Sequence, residues 1–151
     1  MKRIYFDVCC WSRPFDDQTQ TRIHLEAEAV LVILEKLETG NWQLVHSDVV
    51  DLEIDQTTDP ERRRRLKASI PDQHHVVTLD ATGIRRGKEL ESLGIPGLDA
   101  LHLAAAEAGT ADVFLTTDDQ LLRLAVKHGK RLRVRVANPL TWLQDVVEEE
   151  L

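Results

Sequence analysis

Ile4-Tyr5-Phe6-Asp7 is an apolar run closed by a carboxylate, set close to the start of the chain. Around it, Arg3 to Cys9 reads as a short buried strand, apolar almost throughout and interrupted by Asp7. A polar loop follows from Ser12 to Thr21, and then Ile23, Ala27, Val30, Leu31, Leu34 and Leu37 recur at helical spacing up to a stop at Gly40. Trp42 to His46 reads as a second strand. Ser47 caps a helix from Asp48 to about Gln56, and Pro60 opens another that carries Arg62 to Arg65. His74 to Leu79 is a third strand, with Asp80 placed to cap a helix from Ala81 to Leu93. An Ala-rich helix, Asp99 to Ala108, closes at Gly109. Ala111 to Thr116 is a fourth strand, followed by a helix from Asp119 to His128. Arg131 to Val136 alternates like an edge strand, and Asn138-Pro139 introduces a last helix to Glu149. Strands alternating with helices predict a mainly parallel sheet covered on both faces, a three-layer α/β/α architecture.

Length and composition bound the rest. A chain of 151 residues fits one domain, residues 1–151, and no repeat or linker divides it. No apolar run is long enough to cross a bilayer, and the start is too short and too acidic for a signal peptide, so a cytoplasmic protein is expected. Cys9 and Cys10 are adjacent, which disfavours a bridge between them, and no His or Cys stands at zinc spacing. They read as small buried residues on the first strand, without a catalytic role. The net charge of −7 excludes a simple basic nucleic-acid module. Two bound divalent cations would cancel four of those charges, so acidity alone does not exclude RNA.

Most of the 26 acidic residues must be solvated, and the informative ones sit where solvent is not expected. Asp7, Asp80 and Asp118 each end an apolar strand, the position beyond which open α/β sheets collect ligands. A helix cap is a sufficient alternative for each of them. Glu53 is more telling. Asp48, Asp51, Asp55 and Asp59 form one wet stripe on their helix, whereas Glu53 lies off it, beside Val49 and Val50. A carboxylate on an apolar face needs a partner or a metal. Asp99 opens a helix with almost no polar face, where the helix N-terminus favours an anion. His102 follows one turn later, facing the same site or packed as a hydrogen-bonded core residue. The Asp16-Asp17 doublet lies among Gln and Thr and reads as turn chemistry.

The ordered set Ile4-Tyr5-Phe6-Asp7, Ser47 through Glu53, Gly97-Leu98-Asp99-Ala100-Leu101-His102-Leu103-Ala104 and Leu115-Thr116-Thr117-Asp118 resembles the PIN-domain family, including VapC-type toxin ribonucleases. The resemblance spans almost the whole chain. It implies that Asp7, Glu53, Asp99 and Asp118 form the catalytic metal site, with Asp119 as a helper and Asp80 as a cap only. It further implies Mg²⁺ or Mn²⁺ as cofactor, RNA as substrate, an antitoxin as partner, and a homodimer. One departure stands out: the family often has Ser or Thr directly after the first Asp, where this chain has Val8. Ser12 and the loop Arg13-Pro14-Phe15-Asp16-Asp17 are the expected replacement for that hydroxyl.

The chemistry suits the residues. Hard oxygen ligands hold Mg²⁺ or Mn²⁺, which lowers the pKa of water and neutralises phosphate oxygens. Asp7, Asp99 and Asp118 are assigned to ligation, and Glu53 either to ligation or to orienting the attacking water. In-line attack would leave a 5′-phosphate and a 3′-hydroxyl. Arg13, Arg62, Arg65, Arg85 and Arg86 are the candidate phosphate contacts, each equally readable as a solvated face. Two other readings compete: a catalytically inactive PIN-fold module that binds RNA or protein, and a phosphate-transfer receiver. The receiver would need a lysine after its last strand, where Val136-Ala137-Asn138-Pro139 stands.

Overall fold

The computed structural model describes residues 1–72 and 74–150. Strand β1 (Arg3–Phe6) carries Ile4, Tyr5 and Phe6, all essentially inaccessible, as expected of a strand buried on both faces. It lies at the centre of a five-stranded sheet of order β3-β2-β1-β4-β5, with β2 (Gln43–Ser47), β3 (His75–Val77), β4 (Val113–Leu115) and β5 (Arg135–Ala137). All neighbouring strands pair in parallel, with Ile4 opposite Leu44 on one side and Phe6 opposite Leu115 on the other.

The connections are helical, as parallel pairing requires. They are α1 (Val8–Ser12), α2 (Thr21–Glu38), α3 (Asp48–Asp55), α4 (Pro60–Ser69), α5 (Ala81–Glu91), α6 (Gly97–Ala108), α7 (Asp119–Lys127) and α8 (Pro139–Glu150). Helix α2 packs against α8, and α5 packs along α6, giving the three-layer architecture expected from the sequence. Gly87 allows that second contact, because a Cβ there would stand 2.9 Å from Leu101 Cδ2. Strand order reverses direction at β1, so the crevice between the carboxyl ends of β1 and β4 is the switch point where such sheets bind ligands. No helix among the described residues is long and apolar enough to cross a membrane.

Several boundaries differ from the sequence reading, β3 among them at His75–Val77 instead of His74 to Leu79, and two have a clear physical cause. Strand β1 ends at Phe6, and Cys9 and Cys10 lie on helix α1 instead of the strand. The run Val8-Cys9-Cys10-Trp11 is apolar enough for either element, and Asp7 decides it by accepting the Val8 N–H as a helix cap. Strand β5 is shorter than Arg131 to Val136: Gly129–Arg131 forms a 3₁₀ turn, and the Arg133 N–H donates to Glu107 Oε2 (2.9 Å) instead of to the ladder. The loop after α1 also holds a 3₁₀ turn, Arg13–Phe15.

Candidate metal centre

Asp7 follows β1 and is 5% exposed. Its Oδ1 accepts the Val8 N–H (2.9 Å), and its Oδ2 accepts the Thr116 hydroxyl (2.8 Å) and a longer contact from the Cys9 thiol (3.4 Å). The hydroxyl beside the first acid therefore comes from Thr116, across the sheet after β4, and not from Ser12 or the loop behind it. Ser12 instead offers its carbonyl to Arg62 (3.4 Å). Burial pushes the Asp7 carboxyl well above the usual range, and negative charge at Cys9 adds to this, while His102 and Thr116 oppose it. The Cys9 thiol is held down at about 6, by Cys10 first and by Thr116 and Thr117 next.

Glu53 reaches the same place from α3. Val49, Val50 and Ile54 bury the helix against the sheet, while Asp48, Asp51 and Asp55 stay exposed as the wet stripe. Glu53 lies between these faces, and its Oε1 stands 2.8 Å from Nε2 of His102. His102 is fully buried, and its Nδ1 lies 2.7 Å from the Tyr5 hydroxyl, which in turn lies 2.7 Å from Ser47 Oγ. One ligand-type atom from each of Asp7, Glu53 and His102 falls within 4.8 Å of the others. The sequence reading left His102 between a core role and the site; it occupies both.

Asp99 sits in the first turn of α6, half-buried, and burial raises its pKa, with the negative charge of Asp118 as the next cause. Glu53 adds to this shift and His102 opposes it. Asp118 caps α7, its Oδ1 accepting from the N–H groups of Gln120 (2.9 Å) and Leu121 (3.2 Å). Asp80 does the same for α5 through Gly83 N–H (2.9 Å). The carboxylate of Asp119 is held by Arg22 in a bidentate pair of 2.7 and 2.8 Å. Among the described residues, Asp7, Asp99 and Asp118 have no Lys or Arg ion-pair partner. Asp7 is buried, Asp99 half-buried and Asp118 exposed, and carboxylates without counter-charge suit a hard divalent cation such as Mg²⁺ or Mn²⁺ better than a softer metal.

No protein-family model matches this chain, and no curated protein matches it by sequence. Solved structures do. A chain of the VapBC2 complex of Rickettsia felis, bound to a DNA fragment from its promoter, is similar over 90% of this chain and 98% of its own, with a TM-score of 0.57 at 16% identity. A chain of the DNA-bound VapBC of Salmonella typhimurium is similar over 92% and 99%, with a TM-score of 0.58 at 12% identity. This chain has a PIN-like fold.

The PIN-like fold commits several of the arginines to internal partners. Arg13 pairs with Asp16 (3.1 Å) and lies 3.1 Å from Glu26, and Arg62 reaches Asp16 (2.6 Å). Arg86 grips Glu107 at 2.7 and 3.2 Å and also donates to the Arg131 carbonyl. Arg65 pairs with Glu61 (3.0 Å) on the surface, and Arg85 contacts Thr82 (3.2 Å). Sequence reasoning missed Glu26, which is 1% exposed and ties Arg13, Arg22 and Asn138 together behind the site. Its Oε1 lies near Arg13 without hydrogen-bond geometry, so the pair is coulombic. Sequence reasoning also gave no site role to Thr116 or Tyr5 and read Ser47 as a helix cap only, which it is, whereas Thr116 also donates to Asp7 and Tyr5 links Ser47 to His102.

Proposed function

We propose that this chain is a divalent-metal-dependent ribonuclease that hydrolyses RNA phosphodiester bonds, and that it is the toxin of a toxin–antitoxin pair. One observation supports this reading: Asp7, Glu53 and His102 come together from three distant segments of a PIN-like fold, and Asp99, whose pKa is raised like that of Asp7, is close enough to feel the charges of Asp118 and Glu53. Mg²⁺ or Mn²⁺ held there supplies charge neutralisation at the phosphate and a more acidic water. Asp7, Asp99 and Asp118 are the ligating groups, and Glu53 is a ligand or orients the attacking water. Asp119 joins them only if Arg22 releases it. Arg62, Arg65 and Arg85 are the candidate phosphate contacts nearer the surface, Arg62 and Arg65 only after leaving Asp16 and Glu61. Arg13 and Arg86 would first have to leave their carboxylate partners.

The VapBC likeness supports a protein partner whose segment covers the acidic cleft, and the family resemblance supports a homodimer in the cytoplasm. The test is cleavage of RNA oligonucleotides with Mg²⁺, Mn²⁺ or EDTA. Asp7→Asn, Asp99→Asn and Asp118→Asn each lose most activity, while Asp80→Asn affects mainly stability. Cleavage at full rate in chelator overturns the metal mechanism. A dead Asp80→Asn beside an active Asp118→Asn overturns the site assignment. Metal uptake by the wild type without any cleavage would leave a binding module.

A further inference from the structure

Ser47, Tyr5, His102 and Glu53 form one unbranched line of polar contacts, of 2.7, 2.7 and 2.8 Å. Counting protons fixes much of its direction. Tyr5 is fully buried, and burial raises its pKa, so it keeps its single proton. The Glu53 carboxylate can only accept. An Nε2 lone pair facing Oε1 at 2.8 Å would set two acceptors head to head, so Nε2 carries hydrogen. This holds for either charge on the ring. In neutral imidazole, Nδ1 accepts from Tyr5, and Tyr5 accepts from Ser47, whose Oγ accepts the Val50 N–H at 3.3 Å. In the cation, Nδ1–H donates to Tyr5, and Tyr5 donates to Ser47. In neither case does His102 have a lone pair free for a cation.

We infer that His102 is a positioning residue and not a metal ligand: its Nε2–H fixes Oε1 of Glu53, leaving Oε2 as the oxygen for the ion or the attacking water. Among the described residues Oε2 has no protein hydrogen-bond donor. His102 stands three residues after Asp99 on the same face of α6. One helix therefore carries one acid of the centre and the group that orients another. The inference rests on the metal reading above, but its test does not need RNA.

Protein labelled with ¹⁵N at histidine is followed by long-range proton–nitrogen correlation in EDTA and then in saturating Mg²⁺, which is diamagnetic. Nε2 of His102 is expected to keep its proton in both. An Nδ1–H tautomer in either condition overturns the inference, because a ligating Nε2 has no proton. Calorimetry with Mg²⁺ gives the second arm. His102→Leu, which has no donor, weakens binding about 10- to 100-fold. His102→Gln keeps an N–H for Glu53 and recovers most of that loss. Equal losses in both variants mean that the imidazole is a ligand. If Mg²⁺ binds and the tautomer holds but RNA is not cut, the nuclease reading fails and this one stands. A tautomer swap in a protein that does cut RNA gives the reverse, and no Mg²⁺ uptake removes both.

Discussion

Thr116→Val tests the hydroxyl that takes the place of the missing one after Asp7. Thr116 is fully buried; its Oγ1 donates to Asp7 Oδ2 (2.8 Å) and accepts the Asp118 N–H (3.1 Å). Valine keeps the shape and leaves both groups without that partner. A hydrogen bond to a charged group contributes about 1.5–3 kcal/mol, and an orphaned donor costs about 1–3 kcal/mol, partly offset by the buried methyl. A net loss of about 2–3 kcal/mol corresponds to roughly 4–12 °C in Tm for a chain of this size. The loss depends on pH in a fixed sense. The folded pKa of Asp7 is raised, and Thr116 is one of the groups opposing that rise, so the variant raises it further. The penalty is full above the folded pKa, where the bond meets a carboxylate. It shrinks as pH falls toward the unfolded value near 3.8, where both proteins hold a neutral acid. Thermal melts of both proteins in EDTA across that range measure it, and Mn²⁺ titration should show weaker binding by the variant. Equal melting curves at a pH above the folded pKa of Asp7, or a penalty that grows on acidification, would refute the reasoning.

Asp99→Asn removes a carboxylate whose folded pKa lies above its ordinary value, so it should raise the Tm in EDTA at neutral pH and lose that gain as pH falls toward 3.8. The group is only half-buried, so the discounted gain is about 1–3 °C, and the Mn²⁺-induced shift shrinks at the same time. An equal metal shift in both proteins would place the ion elsewhere. Glu26→Ala removes one of two carboxylate partners from the half-buried Arg13 and the acceptor from Asn138, and urea unfolding should report a loss of about 1–3 kcal/mol. A loss below about 1 kcal/mol, the range of surface pairs, contradicts the buried network. Replacing Cys9 and Cys10 together by Ala costs about 1–2 kcal/mol through lost packing but keeps metal-dependent turnover. Loss of turnover in a well-folded double variant makes a thiol essential.

The sequence disclosed those parts of the centre that break a pattern. Glu53 was visible because it leaves the wet stripe of α3, and Asp7 because it ends an apolar strand. The same test would have found Glu26, which falls between Ile33 and Leu37 around the apolar face of α2. It escaped because the neighbouring charges Arg22 and Glu28 make the helix start look solvated. Thr116, Tyr5 and Ser47 break no pattern, since a strand-end hydroxyl or a buried phenol has an ordinary role in any core. Their function lies in pairings between residues 42 to 109 positions apart, which no local spacing encodes. The end of β1 was misplaced for a related reason: an apolar tetrapeptide has the same hydrophobicity as strand or helix, and one cap decides between them.

The order 3-2-1-4-5 also sets a timetable. The central strand is the first made, yet one of its two edges waits for β4, more than a hundred residues later. Until that partner docks, Asp7 lacks the Thr116 hydroxyl, and Asp118 has no helix to start. Pairing over such a separation is slow, and the open edge is exposed while it lasts. The cluster of acids is therefore a property of the nearly finished chain: fragments released early, or chains still being synthesised, carry most of the acids and none of the arrangement.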